Sequence, residues 1–218
     1  DKGRTAAEMM VFARYVMFSE VYWHHAVRGA TAMLQRAFYL LHGQLDLDTL
    51  FRSSDHAMIA SMQSTAGNGA ASDLLDGLFG PTRRLYKRLA QYSIYENSEL
   101  YDQLARRPYP WLVACSENLA RMFSTKIGRR IAPHEILFDS PPVKLEVQFA
   151  VDVHFARENR YRSLGDVSPV VRTLAEKQFD DYVKRVRIFV APALRDKLRA
   201  VGKLNDLVQD AIAEVDAP

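Results

Sequence analysis

ARYVMFSEVYWHHAVRGA, residues 13–30, decides the class of this fold, because its residues sort around a helix axis and do not alternate. At about 100° per residue, with Arg14 set at zero, Phe18 falls near +40°, Tyr22 near +80°, His25 near +20° and Arg28 near −40°, all roughly. The opposite arc, roughly 160° to 260°, carries Met9, Phe12, Ala13, Val16, Trp23, Val27, Ala30 and Leu34. The spacing predicts one continuous helix from Thr5 to about Leu41, stopped by Gly43, with the apolar arc docked on its neighbours. Arg14, Tyr22, His25 and Arg28 are not needed for that docking. They are either a face turned to water or, being all basic or aromatic with no acidic partner among them, guanidinium forks beside a ring that suit a phosphate bearing something flat.

Outward from this segment the pattern stays helical to about residue 130. A second helix follows Asp46 or Asp48 and runs to about Gln63, and STAGNGAAS (64–72) reads as the most mobile loop. A short helix then reaches Phe79, GPT opens another from about Thr82 to Tyr95, and WLVACSENLARMF belongs to one ending near Gly128. On the helix read after GPT, Arg83, Arg84, Lys87 and Arg88 form a basic face by i,i+4 spacing: solvated stems, or a second phosphate contact. After Gly128 the texture changes. Residues 144–155, KLEVQFAVDVHF, alternate apolar and polar as a strand with one wet face, and EILFD and VRIFV are shorter strands. Ser168 caps a helix whose first turn holds Pro169, and short helices at 193–201 and 203–214 close the chain. The expectation is a mainly α fold with a smaller α+β C-terminal subdomain: a long first helix and helical bundle over 1–130, then a short, mostly antiparallel sheet with flanking helices over 131–218.

Totals narrow the function. With 218 residues, 48% of them hydrophobic, the chain can bury a substantial core. No run approaches eighteen consecutive apolar residues, so no membrane association is expected. There is no secretory signal pattern, and the single cysteine, Cys115, excludes an internal disulfide framework, so a reducing cytoplasm is expected. A net charge of +3 permits an anionic ligand and is too weak alone to argue for nucleic acid. Asp1 leads almost at once into a helical pattern, so the chain is expected to be a piece of something longer.

Residues 6–38, AAEMMVFARYVMFSEVYWHHAVRGATAMLQRAF, together with LDLDTLFRSSDHAMIASMQ, RRLYKRLAQYSIYE and SLGDVSPVVRTLAEKQFDDYVKRVRIFV, resemble the region after the metal-binding half in HD-domain phosphohydrolases. The similarity is to bacterial HD-superfamily proteins and to deoxynucleoside triphosphate triphosphohydrolases. It implies that Arg14 holds the triphosphate tail, that Tyr22 packs on the deoxyribose, and that Trp23 stands where the vertebrate enzyme contacts the base through a glutamine. It further implies that His25, at the position of a phosphate-binding lysine, with Lys2 and Arg28, forms allosteric or second phosphate contacts. The family's chemistry needs a divalent metal held by a histidine, a His-Asp pair and a later aspartate, to polarise phosphate and to supply or orient the attacking water. The chain has no adjacent His-Asp pair. The metal half is therefore expected upstream of Asp1, with no catalytic or metal-ligating residue and no bound cofactor in this chain, which alone should be inactive. Glu20 with His24 and Asp152 with His154 are too few ligands for a metal site. A nucleotide or phosphate-ester substrate and a homo-oligomer are the partners the resemblance implies. The alternative is a non-catalytic regulatory or oligomerisation module binding a nucleotide effector, RNA or a protein.

Overall fold

The computed structural model describes residues 2–141, 151–174 and 182–217. Its elements in chain order are α1 (Lys2–Met17), a π-helical turn (Phe18–Tyr22), α2 (His25–Leu41), α3 (Leu47–Arg52), α4 (Asp55–Ala66), α5 (Ala70–Phe79), β1 (Lys87–Tyr92), α6 (Ser98–Leu104) and α7 (Tyr109–Ile127). There follow β2 (Ile136–Asp139), β3 (Asp152–Phe155), β4 (Arg160–Ser163), α8 (Leu164–Val167), α9 (Pro169–Thr173), β5 (Val186–Val190), α10 (Arg195–Ala200) and α11 (Leu204–Asp216). The fold is mostly helical, with a small antiparallel sheet and flanking helices. Among the described residues, no helix is long and apolar enough to cross a membrane.

The contacts divide the chain into two units, each discontinuous in sequence. One holds Asp1–His24, Tyr92–Arg106 and Pro141–Arg185; the other holds His25–Gln91, Arg107–Ser140 and Val186–Pro218.

In the larger unit, α2 supplies Ala32, Met33, Ala37 and Leu41 to a core shared with Leu50, Met62, Leu74, Leu75, Leu78, Leu137 and Phe189. Gly29 lets α2 approach β5 closely: a Cβ there would meet the Phe189 ring at 3.3 Å and the Tyr86 carbonyl oxygen at 3.4 Å. The sheet runs β1-β5-β2, and β2 pairs antiparallel with β5 so that Asp139 lies opposite Arg187. All five residues of β5 are buried. A strand covered on both faces reads as a continuous apolar run, which is why VRIFV and EILFD were legible. Along α7 lies α11, with Leu207, Val208, Ala211 and Ile212 buried. Asp216 accepts hydrogen bonds from Arg107 at 3.2 Å and from the Trp111 indole at 2.8 Å, and Arg121 pairs with Glu214.

In the smaller unit, Val11 of α1 packs with Leu164 and Val171, flanked by Ala7, Val151, Val153 and Val167. The hairpin β3–β4 sets Val153 opposite Arg162 and His154 opposite Tyr161. Val153 and Phe155 are half-buried while Asp152 and His154 are exposed, as the alternation requires. The rest of the strand read over 144–155 lies, up to residue 150, outside the described residues.

Four expectations are corrected. The first helix does not run unbroken to Leu41: the Trp23 amide donates to the Phe18 carbonyl at 2.9 Å, an i→i−5 bond, and His24 stands outside the helix. Ser19 donates back to the Val16 carbonyl at 3.1 Å, a competing bond that bends helices. The apolar arc of α1 is not the side docked among the described residues: the side bearing Val11 is, while Met9, Phe12 and Val16 are exposed. The second helix is two, broken at Ser53 and restarted by Ser54, whose hydroxyl accepts from the Ala57 amide. The segment read as a helix from Thr82 to Tyr95 contains β1 instead. Its Lys, Arg, Leu and Ala are good helix formers, but β5 is fully buried and its backbone groups need a partner on both sides. Sheet pairing overrides the propensity.

Candidate functional site

Two candidate sites emerge, one in each unit: a cation beside aromatic rings, and a cavity lined by several cations. In the smaller unit the exposed Arg14 guanidinium lies 5.7 Å from the centre of the Phe18 ring, and the Phe18 and Tyr22 rings meet edge to face at 5.1 Å. Cation, ring and ring therefore form one row across the junction of α1 and the π-helical turn. Tyr22 is 51% exposed. Among the described residues neither Arg14 nor Tyr22 makes an ion pair or a side-chain hydrogen bond, so the guanidinium fork and the phenol remain available to a ligand. A π-bulge inside a helix often marks a functional position, because it re-aims side chains that an unbroken helix would space evenly. Trp23, next in sequence, is buried, at 3% exposure, and does not share that open surface. Lys2 belongs to α1, and its side chain lies outside the described residues.

In the larger unit His25, Ala26, Leu85, Tyr86, Lys87, Arg88 and Arg195 line a cavity of about 310 Å³. Four of these carry or can acquire positive charge, and no carboxylate joins them. The Arg195 Nε is buried and makes no hydrogen bond among the described residues. Leaving such a donor without an acceptor is costly, which favours an anion in the cavity. Arg88 donates to the Gln91 side-chain oxygen at 2.9 Å, and Arg187 donates to the same oxygen at 3.0 Å, so Gln91 positions the cavity arginine from behind. Burial pushes the Tyr86 phenol up from its ordinary value, and it remains a neutral hydrogen-bonding group. Of the basic set Arg83, Arg84, Lys87 and Arg88, Lys87 and Arg88 reach this wall from a strand, not from a helix face.

Arg28 is committed elsewhere. Its Nε donates to Asp139 at 2.9 Å and a terminal nitrogen donates to the other carboxylate oxygen at 2.5 Å, tying α2 to the end of β2. Sequence reasoning missed Asp139, a buried carboxylate in an apolar strand and hence a residue that demands a cation. Cys115 is sealed in α7, and burial pushes its thiol up to about 12, which makes it inert. Among the described residues no three His, Cys, Asp or Glu side chains are placed together to hold a metal ion.

Residues 1–206 match the family described as the HD associated region. An uncharacterized protein of Methanocaldococcus jannaschii is 24% identical over 99% of this chain and 44% of its own length. The crystal structure of a hypothetical protein from Aquifex aeolicus is similar in fold, with a TM-score of 0.57 at 19% identity, over 93% of this chain and 46% of that one. The chain thus spans less than half the length of the relatives it matches.

Proposed function

We propose that this chain, which belongs to the HD associated region family, forms the substrate-positioning part of a metal-dependent HD-type phosphohydrolase acting on nucleotides. The observation that carries the reading is the row Arg14–Phe18–Tyr22, where an uncommitted guanidinium stands one ring away from an exposed tyrosine. Arg14 neutralises phosphate charge as it develops, and Tyr22 presents its ring to the sugar. The metal centre, with its water-activating chemistry, belongs to the HD domain and not to this chain. The test assays the intact HD-containing protein against a panel of nucleoside triphosphates with several divalent metals. Metal-dependent release of inorganic triphosphate from deoxynucleotides is expected, with none from the 218-residue chain alone. Failure of every substrate–metal pair, or release by the chain alone, overturns the proposal.

The second reading, a regulatory region that binds a nucleotide effector, draws on the cavity of the larger unit. His25, Lys87, Arg88 and Arg195 suit a polyphosphate, and the apolar parts of Leu85 and Tyr86 give it one dry wall. Replacing Arg195 by alanine is expected to weaken inorganic triphosphate binding about tenfold or more, the loss of one charge-assisted hydrogen bond. Calorimetric titration of the chain checks this, and an unchanged affinity removes the cavity from the account.

A further inference from the structure

Arg36, in the larger unit, is a buried cation without a counter-charge. It stands on α2 between the core residues Met33 and Ala37 and is 3% exposed. One terminal nitrogen donates to the Ser116 hydroxyl of α7, itself fully buried, and that hydroxyl donates onward to the Val113 carbonyl at 2.8 Å. The Arg36 Nε is buried and makes no hydrogen bond, and among the described residues no carboxylate lies within ion-pair range of the guanidinium. Its polar neighbours are Tyr109, Glu117, Tyr39 and Tyr86, of which Glu117 is exposed and the other three are phenols. Arg28, on the same helix, shows the contrast: it grips Asp139 through two hydrogen bonds. Burial lowers the pKa of the Arg36 guanidinium, but a guanidinium starts so far above neutrality that it keeps its proton. A lone charge of this kind is among the costliest groups an interior can hold.

We infer that Arg36 anchors a site for a small monovalent anion of the halide class, chloride above all, held between α2 and α7. The Tyr39 and Tyr109 rings meet edge to face at 5.3 Å, and neither hydroxyl makes a hydrogen bond among the described residues. Two phenols therefore stand together near the guanidinium with protons to offer, and no carboxylate competes for them. Burial pushes the Tyr109 phenol up to about 12, so it is a neutral donor and not a phenolate that could balance Arg36 itself. Charge and size select the class of ion. Arg36 brings one positive charge, which a monovalent ion balances, whereas a phosphate dianion would bury a second negative charge without a partner. An anion held at a guanidinium with 3% exposure is atom-sized and not a nucleotide. Tyr39 and Tyr109 are half-buried and give the ion its way in from the surface. Arg36 does not line the cavity of Arg195, although Tyr86 is a neighbour of both. The inference is independent of nucleotide hydrolysis.

Thermal melting of the chain in mixtures of sodium chloride and sodium gluconate, at fixed ionic strength, tests it. Replacing gluconate by chloride is expected to raise Tm by about 3 °C or more and then to saturate, as a ligand that binds only the folded state requires. Bromide should act alike. In Arg36→Met the dependence on the anion should vanish, and the variant should fold, because an apolar side chain of similar length replaces a buried charge without loss. Tyr109→Phe removes one proton donor and keeps the ring, so the chloride concentration at half-effect should rise about tenfold. That arm also decides the matter if Arg36→Met does not fold. Arg195→Ala should leave the chloride response as it is. A Tm that ignores chloride overturns the inference, as does a response that survives Arg36→Met or an unchanged half-effect concentration in Tyr109→Phe. A response lost in Arg195→Ala overturns it too and assigns the ion to the cavity.

Discussion

Asp139→Ala is expected to remove about 3 kcal/mol of folding stability, the loss found when one partner of a buried ion pair is deleted. Asp139 is 1% exposed and accepts two hydrogen bonds from Arg28, whose own side chain is 18% exposed. Without the carboxylate, the Arg28 guanidinium stays against the sheet with its charge uncompensated, and Arg187, across the strand pair and 5% exposed, loses a nearby negative charge as well. Arg28 reaches water in part, which places the loss at the lower end of the range for such deletions. Even so it is a large share of the roughly 5–15 kcal/mol that holds a domain folded. Asp139→Asn should lose less, because one acceptor survives. Urea unfolding of the chain measures both, and the Arg28→Ala, Asp139→Ala double variant should recover part of the single loss. A change below about 1 kcal/mol for Asp139→Ala would mean that Arg28 simply turns to solvent.

That pair also marks where sequence reading stops. Arg28 and Asp139 are separated by 111 residues, and nothing local in either segment announces the other. The cavity cations share the difficulty: His25, Lys87, Arg88 and Arg195 come from two helices and a strand, so only the fold brings them together. Elements defined by their own punctuation were legible. Ser168 before Pro169 and Gly128 after Ile127, in the left-handed conformation at φ 65°, bound helices where expected. The β1 segment was not, because its composition favours helix and only the exposed edge of β5 makes it a strand. For α1, periodicity located the apolar arc but not its packing: the arc was expected to dock on its neighbours, and Met9, Phe12 and Val16 are exposed. The residues nearest the proposed ligand contacts are the ones where local pattern and final packing part company, as happens when a segment is shaped for a partner as well as for its own core.

Arg14→Ala in the intact HD-containing protein is expected to lower kcat/KM for a nucleoside triphosphate by about 10²–10³-fold, the loss typical of deleting one preorganised group that meets developing charge. The effect should fall on catalysis and not on folding. Arg14 is exposed, and its contact with the Phe18 ring is of a kind that adds only about 0.5–1 kcal/mol at such a site. Arg14→Lys separates charge from shape: the ammonium keeps the positive charge and loses the two-pronged fork, so a partial recovery, well short of the wild type, is expected if the arginine grips phosphate through paired hydrogen bonds. Tyr22→Phe provides the complementary control. The phenol makes no hydrogen bond among the described residues, so packing on a sugar ring should survive the substitution, whereas Tyr22→Ala removes the ring and opens the row beside Phe18. Steady-state kinetics with a thermal melt of each variant reads these arms apart. A normal turnover for Arg14→Ala, accompanied by lost assembly or lost effector response, would transfer the row from the reaction to regulation, because an arginine that neutralises phosphate in the transition state cannot be removed without cost to the rate.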